Sequence, residues 1–178
     1  MDHRLRRSRL GERLQALGVD ALIVTRLPNV RYLTGFTGSN GQAVVAADDS
    51  AVFLTDGRYD EQSSNEVRDL RRTTYTEGYP QPLVDACRTL GASRVAFERR
   101  GLTYGGWERL FELTEGLDLV PGDDEVERLR RAKDTDELAL IARAQGFADH
   151  AFDAHYFRRR AAPCHRTIVL WPISSMVR

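Results

Sequence analysis

A chain of 178 residues, 42% apolar and 29% charged, is long enough to bury one ordinary hydrophobic core and needs no disulfides to hold it. Its 26 basic and 26 acidic residues cancel overall, but residues 155–178 carry five arginines and no acid, leaving 21 basic against 26 acidic groups before them. That balance excludes a basic nucleic-acid-binding body, and no run approaches the ~20 apolar residues of a membrane span.

The basic N-terminus lacks the apolar stretch of a secretory signal. It reads as a helix with Leu5, Leu10, Leu14 and Leu17 near one face and Gly18 as its stop, the arginines forming a solvated opposite face. Asp20–Thr25 is a short apolar strand, and Pro28 suits the start of a short helix through Leu33. Gln42–Ala47 and Ala51–Thr55 are two buried runs joined by Asp48, Asp49 and Ser50, a hairpin pattern. TDGRYDEQSSNEV then turns helical, with Thr55 or Asp56 as N-cap.

The second half alternates. Residues 71–76 form a strand, Pro82–Gly91 a helix closed by glycine, Arg94–Glu98 a strand, Thr103–Glu115 a helix and Leu117–Pro121 a strand. Strands separated by helices predict an α/β layered sheet, with the hairpin as its antiparallel part. From Asp124 the pattern is helical, interrupted at Asp134 and Thr135, where Asp134 or Thr135 N-caps a second helix and Glu137 completes a capping box. Leu138, Ile141, Ala142, Ala148 and Phe152 keep an apolar face on that helix. Glu125, Glu127, Asp134, Asp136 and Glu137 alternate with Arg128, Arg130, Arg131 and Lys133, the pattern of a solvated helix face.

Chemistry is sparse. GFTGSNG lacks the spacing of a dinucleotide fingerprint or a P-loop, and the strand after it offers no helix N-terminus to a phosphate. Ser39 has no nucleophile elbow around it. His3, His150, His155 and His165 lie at the chain ends, and a five-residue gap between His150 and His155 does not set two ligands on one helical face. Cys87 and Cys164, 77 positions apart, form neither a metal pair nor a secreted framework, which points to a reduced cytoplasmic setting, and Cys87 reads as a small core residue.

Four motifs in one order, NVRYLTGFTGSNG (Asn29–Gly41), TDGRY (Thr55–Tyr59), LTYGGW (Leu102–Trp107) and VERLRRAKDTDELALIARA (Val126–Ala144), resemble the N-terminal half of the Xaa-Pro aminopeptidase and prolidase family, whose architecture creatinase shares. The resemblance implies a three-layer α/β domain with a mixed β-sheet flanked by helices, followed by a catalytic pita-bread domain. In the family that second domain holds two divalent metal ions (Mn, Co or Zn) on two Asp, one His and two Glu, none of which carries over to a position here. The resemblance also implies a homodimer or higher oligomer and, for a full-length relative, substrates with proline at the second position. Phe36, Thr37, Ser39, Asn40, Arg58 and Tyr59 become candidate cleft-edge substrate contacts. Asp56 reads as a helix cap and Arg58 as the partner of a carboxylate.

The expected organisation is residues 1–123 as the α/β domain, 124–154 as linker and opening helix of the catalytic domain, and 155–178 as an atypical basic tail. The tail's loss of acids and of helical period is expected of a frameshift, a truncated gene or vector-derived sequence. A stand-alone interaction module and the N-terminal half of a creatinase-like amidinohydrolase are the rival readings.

Overall fold

The computed structural model describes residues 1–160, in two units, Met1–Ala132 and Lys133 onward. The first unit runs α1 (His3–Leu17), β1 (Ala21–Val24), α2 (Leu27–Thr34), β2 (Gln42–Ala46), β3 (Ala51–Asp56), a 3-10 turn (Gly57–Tyr59) and α3 (Asp60–Glu66). It continues with β4 (Arg71–Tyr75), α4 (Pro80–Thr89), β5 (Arg94–Glu98), α5 (Tyr104–Glu112), β6 (Asp118–Gly122) and α6 (Glu125–Arg131). The second unit holds α7 (Thr135–Arg160).

The six strands form one sheet in the order β4-β3-β2-β1-β5-β6. β2 is antiparallel to both neighbours, while β1 and β5, β5 and β6, and β3 and β4 pair in parallel. It follows that β1, β3, β4, β5 and β6 all end at the edge where β2 begins. The fold is therefore the α/β mixed sheet that the alternating strand and helix pattern predicts.

Residues alternate across the central strands, as the two-residue period of a strand requires. Leu22, Val24, Ala43, Val45 and Phe53 join Leu10, Leu14, Val30, Leu33 and Val126 on one face. Ala21, Ile23, Val44, Val52, Leu54 and Val95 join Leu83, Val84, Cys87 and Leu110 on the other. Both faces of β1, β2 and β3 are covered, which explains why these strands read as unbroken apolar runs. Each Leu or Val so buried contributes roughly 1.5–3 kcal/mol. Cys87 is fully buried, and desolvation pushes its thiol up to about 12, so it packs as an inert core residue.

α1 departs from expectation. Leu10 and Leu14 are buried, but Leu5 and Leu17 are exposed, and the inward stripe is completed by Arg6, Arg7 and Gly11. The two arginines do not face solvent. Arg6 Nη1 donates to the Tyr32 carbonyl at 3.1 Å with its guanidinium 4.2 Å over the Tyr32 ring. Arg7 donates to the Leu33 carbonyl at 2.9 Å and to Asp69 at 2.5 Å. Those carbonyls belong to the last turn of α2, where intrahelical donors run out and positive charge is favoured. Glu125 corrects a second expectation: it is buried on α6 and accepts from Arg13 of α1 at 2.8 and 2.6 Å, which ties the two helices together.

In the second unit the capping box forms as its sequence indicates. Glu137 N–H donates to Asp134 Oδ1 at 2.8 Å, and Asp134 N–H donates to Glu137 Oε2 at 3.0 Å. α7 reaches Arg160, past the expected break at Ala154 and three residues short of Pro163. The remaining expectations for the basic tail fall on residues 161–178, outside the described residues.

Gly11 marks where α1 lies closest to the hairpin. A Cβ there would come within 2.6 Å of the Ala47 carbonyl oxygen, a backbone atom that cannot turn aside. Gly11→Ala is expected to lower the unfolding free energy by about 1–3 kcal/mol, although alanine gains about 1 kcal/mol in helix propensity. Gly105→Ala in α5, where a Cβ meets nothing within 4 Å, leaves stability unchanged or raises it. Urea denaturation of the two variants measures the contrast, and equal effects would contradict it.

Candidate functional site

Because five strands end where β2 begins, the connections at that edge gather polar side chains into two groups. One is built around the loop from Gly35 to Gly41, between α2 and β2. Gly35 caps α2 with φ +83°, and the chain then folds around Phe36. The Phe36 ring lies 4.8 Å from Phe53 and 5.7 Å from Tyr59, edge-on to the latter, and is 1% exposed. Glycines at 38 and 41 allow this wrapping: a Cβ on Gly38 would stand 2.3 Å from the Phe36 ring, and one on Gly41 2.9 Å.

The loop's polar atoms are tied on both sides. Thr37 donates from its backbone N–H and from its hydroxyl to Glu66 of α3, both at 2.7 Å. Ser39 Oγ and the Tyr59 hydroxyl are 2.5 Å apart. Asn40 Nδ2 donates to Asp56 at 2.5 Å and meets the Tyr75 hydroxyl at 3.1 Å, while its Oδ1 accepts from Gln42 Nε2 at 3.0 Å. Tyr75 donates to Gln42 Oε1 at 3.0 Å, and the Thr55 hydroxyl donates to the Asn40 carbonyl at 2.6 Å.

Asp56 ends β3 and caps the following turn through the Arg58 N–H at 2.9 Å. Its carboxylate also takes Arg58 Nε at 3.1 Å and Nη2 at 2.7 Å. The Arg58 and Asn40 hydrogen bonds hold the Asp56 carboxyl well below the usual carboxylate range. Burial raises the Tyr75 phenol, with the Asn40 and Gln42 hydrogen bonds offsetting part of the effect. Thr37, Ser39 and Arg58 face solvent, Tyr59 and Asn40 are half-buried, and Phe36 supports from beneath.

The second group lies at the ends of β1 and β5. Glu98, 8% exposed, accepts from the N–H groups of Thr25 at 2.8 Å and Arg26 at 2.7 Å, and from Asn29 Nδ2 at 2.5 Å. It thus serves the N-terminus of α2 from across the sheet. Desolvation raises the Glu98 carboxyl, and the like charge of Glu127 adds to this against the Asn29, Arg26 and Thr25 hydrogen bonds. Arg26 pairs with Glu127, Asn29 also donates to Glu127 at 2.8 Å, and Arg130 donates to Asn29 Oδ1 at 2.8 Å.

All six candidate residues therefore sit at one edge, around Tyr59 and Asp56. Sequence reasoning missed Gln42, Glu66 and Tyr75 as their partners. The available signals were a polar residue opening an otherwise apolar strand and a tyrosine closing a polar one. Of the histidines among the described residues, His3 Nδ1 lies 2.9 Å from the Tyr32 carbonyl and His150 Nδ1 3.1 Å from the Gly146 carbonyl. Among the described residues no three His, Cys, Asp or Glu side chains are placed to hold a metal ion, so the two metals implied by the family resemblance do not fit these residues. Among them, too, no helix is long and apolar enough to cross a membrane.

Truncating Asn40 strands the buried Gln42 amide and Tyr75 hydroxyl, so Asn40→Ala is expected to cost about 2–3 kcal/mol in urea denaturation. Tyr75→Phe in that background would then cost less than it does alone, since the hydroxyl has already lost a partner. Asp56, whose carboxyl is depressed, contributes stability that is present above the ordinary value of about 3.9 and is lost as pH falls through its lower folded-state value. Asp56→Asn is expected to remove that share of the acid limb of a stability-pH profile. An unchanged acid limb would contradict the reading.

Residues 6–132 match the Creatinase/Prolidase N-terminal domain. The uncharacterized peptidase YqhT of Bacillus subtilis (strain 168) is 37% identical over 136 residues, which cover 76% of this chain and 38% of that protein. The Xaa-Pro dipeptidase of Bacillus anthracis superposes with a TM-score of 0.80 at 26% identity, over 86% of this chain and 42% of its own. The N-terminal domain of the cytoplasmic peptidase PepQ from Mycobacterium tuberculosis H37Rv gives a TM-score of 0.66 at 36% identity, over 70% of this chain and 98% of that domain. This chain thus spans about two fifths of the longer relatives. It belongs to the Creatinase/Prolidase N-terminal domain family and resembles the N-terminal domains of Xaa-Pro peptidases.

Proposed function

We propose that the chain acts as the N-terminal domain of a metal-dependent, cytoplasmic Xaa-Pro peptidase, supplying substrate contacts at the edge of the catalytic cleft and contacts between subunits. The observation that carries this reading is the convergence of Thr37, Ser39, Arg58 and Tyr59 on one solvent-facing rim, held by Asp56, Glu66 and Asn40. Such a rim offers hydroxyl groups and one guanidinium, which suit the carbonyls and the terminal carboxylate of a short peptide. The peptidase names of the relatives favour this reading over a creatinase-like amidinohydrolase.

α7 supports a further domain. Leu138, Leu140, Ile141, Phe147 and Phe152 are each about half exposed or more, apolar surface of the kind that marks a contact with a further partner. The match to the Bacillus anthracis dipeptidase, 86% of the chain, is longer than the first unit alone. We therefore assign residues 124–154 as the passage into a catalytic domain, in which hydrolysis would take place.

The test is a titration of the isotope-labelled chain with an Xaa-Pro dipeptide, followed by amide chemical shifts. Weak binding, with Kd on the order of 1 mM or above, is expected from so few contacts. The shifts should centre on Thr37, Ser39, Arg58 and Tyr59 and vanish in Arg58→Ala. No proline release is expected with Mn, Co or Zn added. Shifts confined to another surface, or none, would overturn the substrate role.

A further inference from the structure

We propose that β4 pairs edge to edge with the β4 of a second copy, antiparallel about a two-fold axis at Thr73, joining the two sheets. This names the surface for the subunit contacts proposed above and rests on that part of the reading.

The two edges of the sheet are treated differently. β6 carries Pro121, and the acids on and beside it are paired within the domain: Asp118 with Arg94 at 3.4 Å, Asp123 with Arg99 at 2.8 Å and Asp124 with Arg100 at 3.0 Å. Proline and charge are the usual guards of an edge strand. β4, whose sequence Arg-Arg-Thr-Thr-Tyr favours strand, has among the described residues a neighbour on one side alone, β3, and no proline or left-handed residue in it. Its side chains are drawn off the edge onto α3. Arg72 donates to the Asp60 carbonyl at 3.2 Å and the Ser63 hydroxyl at 3.1 Å, and the Thr74 hydroxyl donates to Asp60 at 3.0 Å.

Two charges remain. Among the described residues, Arg71 at the start of β4 and Glu77 just beyond its end are exposed and have neither an ion pair nor a side-chain hydrogen bond. Opposite charges at opposite ends of one strand suit a copy turned by a two-fold axis. With Thr73 facing its own symmetry mate, Arg72 faces the second copy's Thr74 and Arg71 faces its Tyr75. Within the paired strands no like charges then stand opposite one another; past their ends Asp69, already paired with Arg7 at 2.5 Å, lies toward the second copy's Glu77. Beyond the strand, where the chain bends after Tyr75, the second copy's Glu77 lies at the Arg71 end of the shared edge, and the axis forms this pairing twice. Threonine pairs across antiparallel strands add to the match.

The area of one strand pair is small, so the dimer is weak, with Kd on the order of 10–100 µM. Sedimentation of the full chain across that range tests it. Arg71→Glu or Glu77→Arg alone should weaken the dimer about fivefold or more, and the two together should restore it. Both sites are exposed, so the fold survives, and circular dichroism checks that. Thr73→Cys, with Cys164→Ser so that the buried Cys87 is the one other thiol, should cross-link to its mate, because facing Cα atoms of antiparallel strands fall within disulfide reach. A chain that stays monomeric at about 1 mM overturns both this interface and the subunit role, leaving the substrate role to the peptide titration. A dimer that ignores both charge reversals and fails to cross-link at Thr73 overturns the β4 interface alone.

Discussion

The carboxamide of Asn40 bonds to the ends of three neighbouring strands at once: Gln42 opening β2, Asp56 closing β3 and Tyr75 closing β4. The antiparallel course of β2 makes that joint necessary. Were β2 parallel, its entry loop would lie at the opposite edge, and the ends of β3 and β4 would have no chain passing over them. As built, the loop after α2 must cross those ends, and its polar atoms must find partners there. Asn40 supplies them from one side chain, with two donors and an acceptor used together.

Glu98 plays the matching part in the other half of the sheet. It takes the N–H groups of Thr25 and Arg26, the two residues leading into α2, and through Asn29 it shares a network with Glu127 and Arg130 of α6. α2 is thus held at its start by Glu98 and at its end by Arg6 and Arg7 of α1. Since the loop begins where α2 stops, its position is set from both ends: by the clamped helix before it and by Asn40 after it. A rim fixed before any ligand arrives loses little freedom on binding. Such a loop would suit the recognition role proposed for it, since the side chains of Thr37, Ser39 and Arg58 still reach solvent.

Much of this could be read from the chain itself. The apolar runs of β1, β2 and β3, the glycine stop at Gly18, the hairpin at Asp48–Ser50 and the Asp134 capping box all follow from local chemistry, and local chemistry suffices for them. Four motifs in order were enough for the family, and Asp56 as a cap was legible from its place before the turn, whereas the carboxylate that pairs with Arg58 was left unnamed and proves to be Asp56 itself. What stayed hidden depends on distant partners. Arg6 and Arg7 resemble any solvated arginines until Tyr32, Leu33 and Asp69 are brought beside them. Glu125 sits in a charge-rich helix, and nothing local separates it from its exposed neighbours; its burial depends on Arg13, 112 residues earlier. Phe36 looked like a contact residue within a glycine-rich loop, but two rings from elsewhere in the sequence make it the loop's floor.

The central claim is that the Gly35–Gly41 loop is a fixed platform at the strand ends, held by Asn40. Backbone relaxation of the labelled chain measures this directly. The account predicts order parameters for Thr37 through Gly41 near the ~0.85 of rigid backbone, falling toward ~0.6 in Asn40→Ala while the strands stay ordered. A loop already below ~0.6 in the unaltered chain, or one whose order is indifferent to the loss of Asn40, would contradict it.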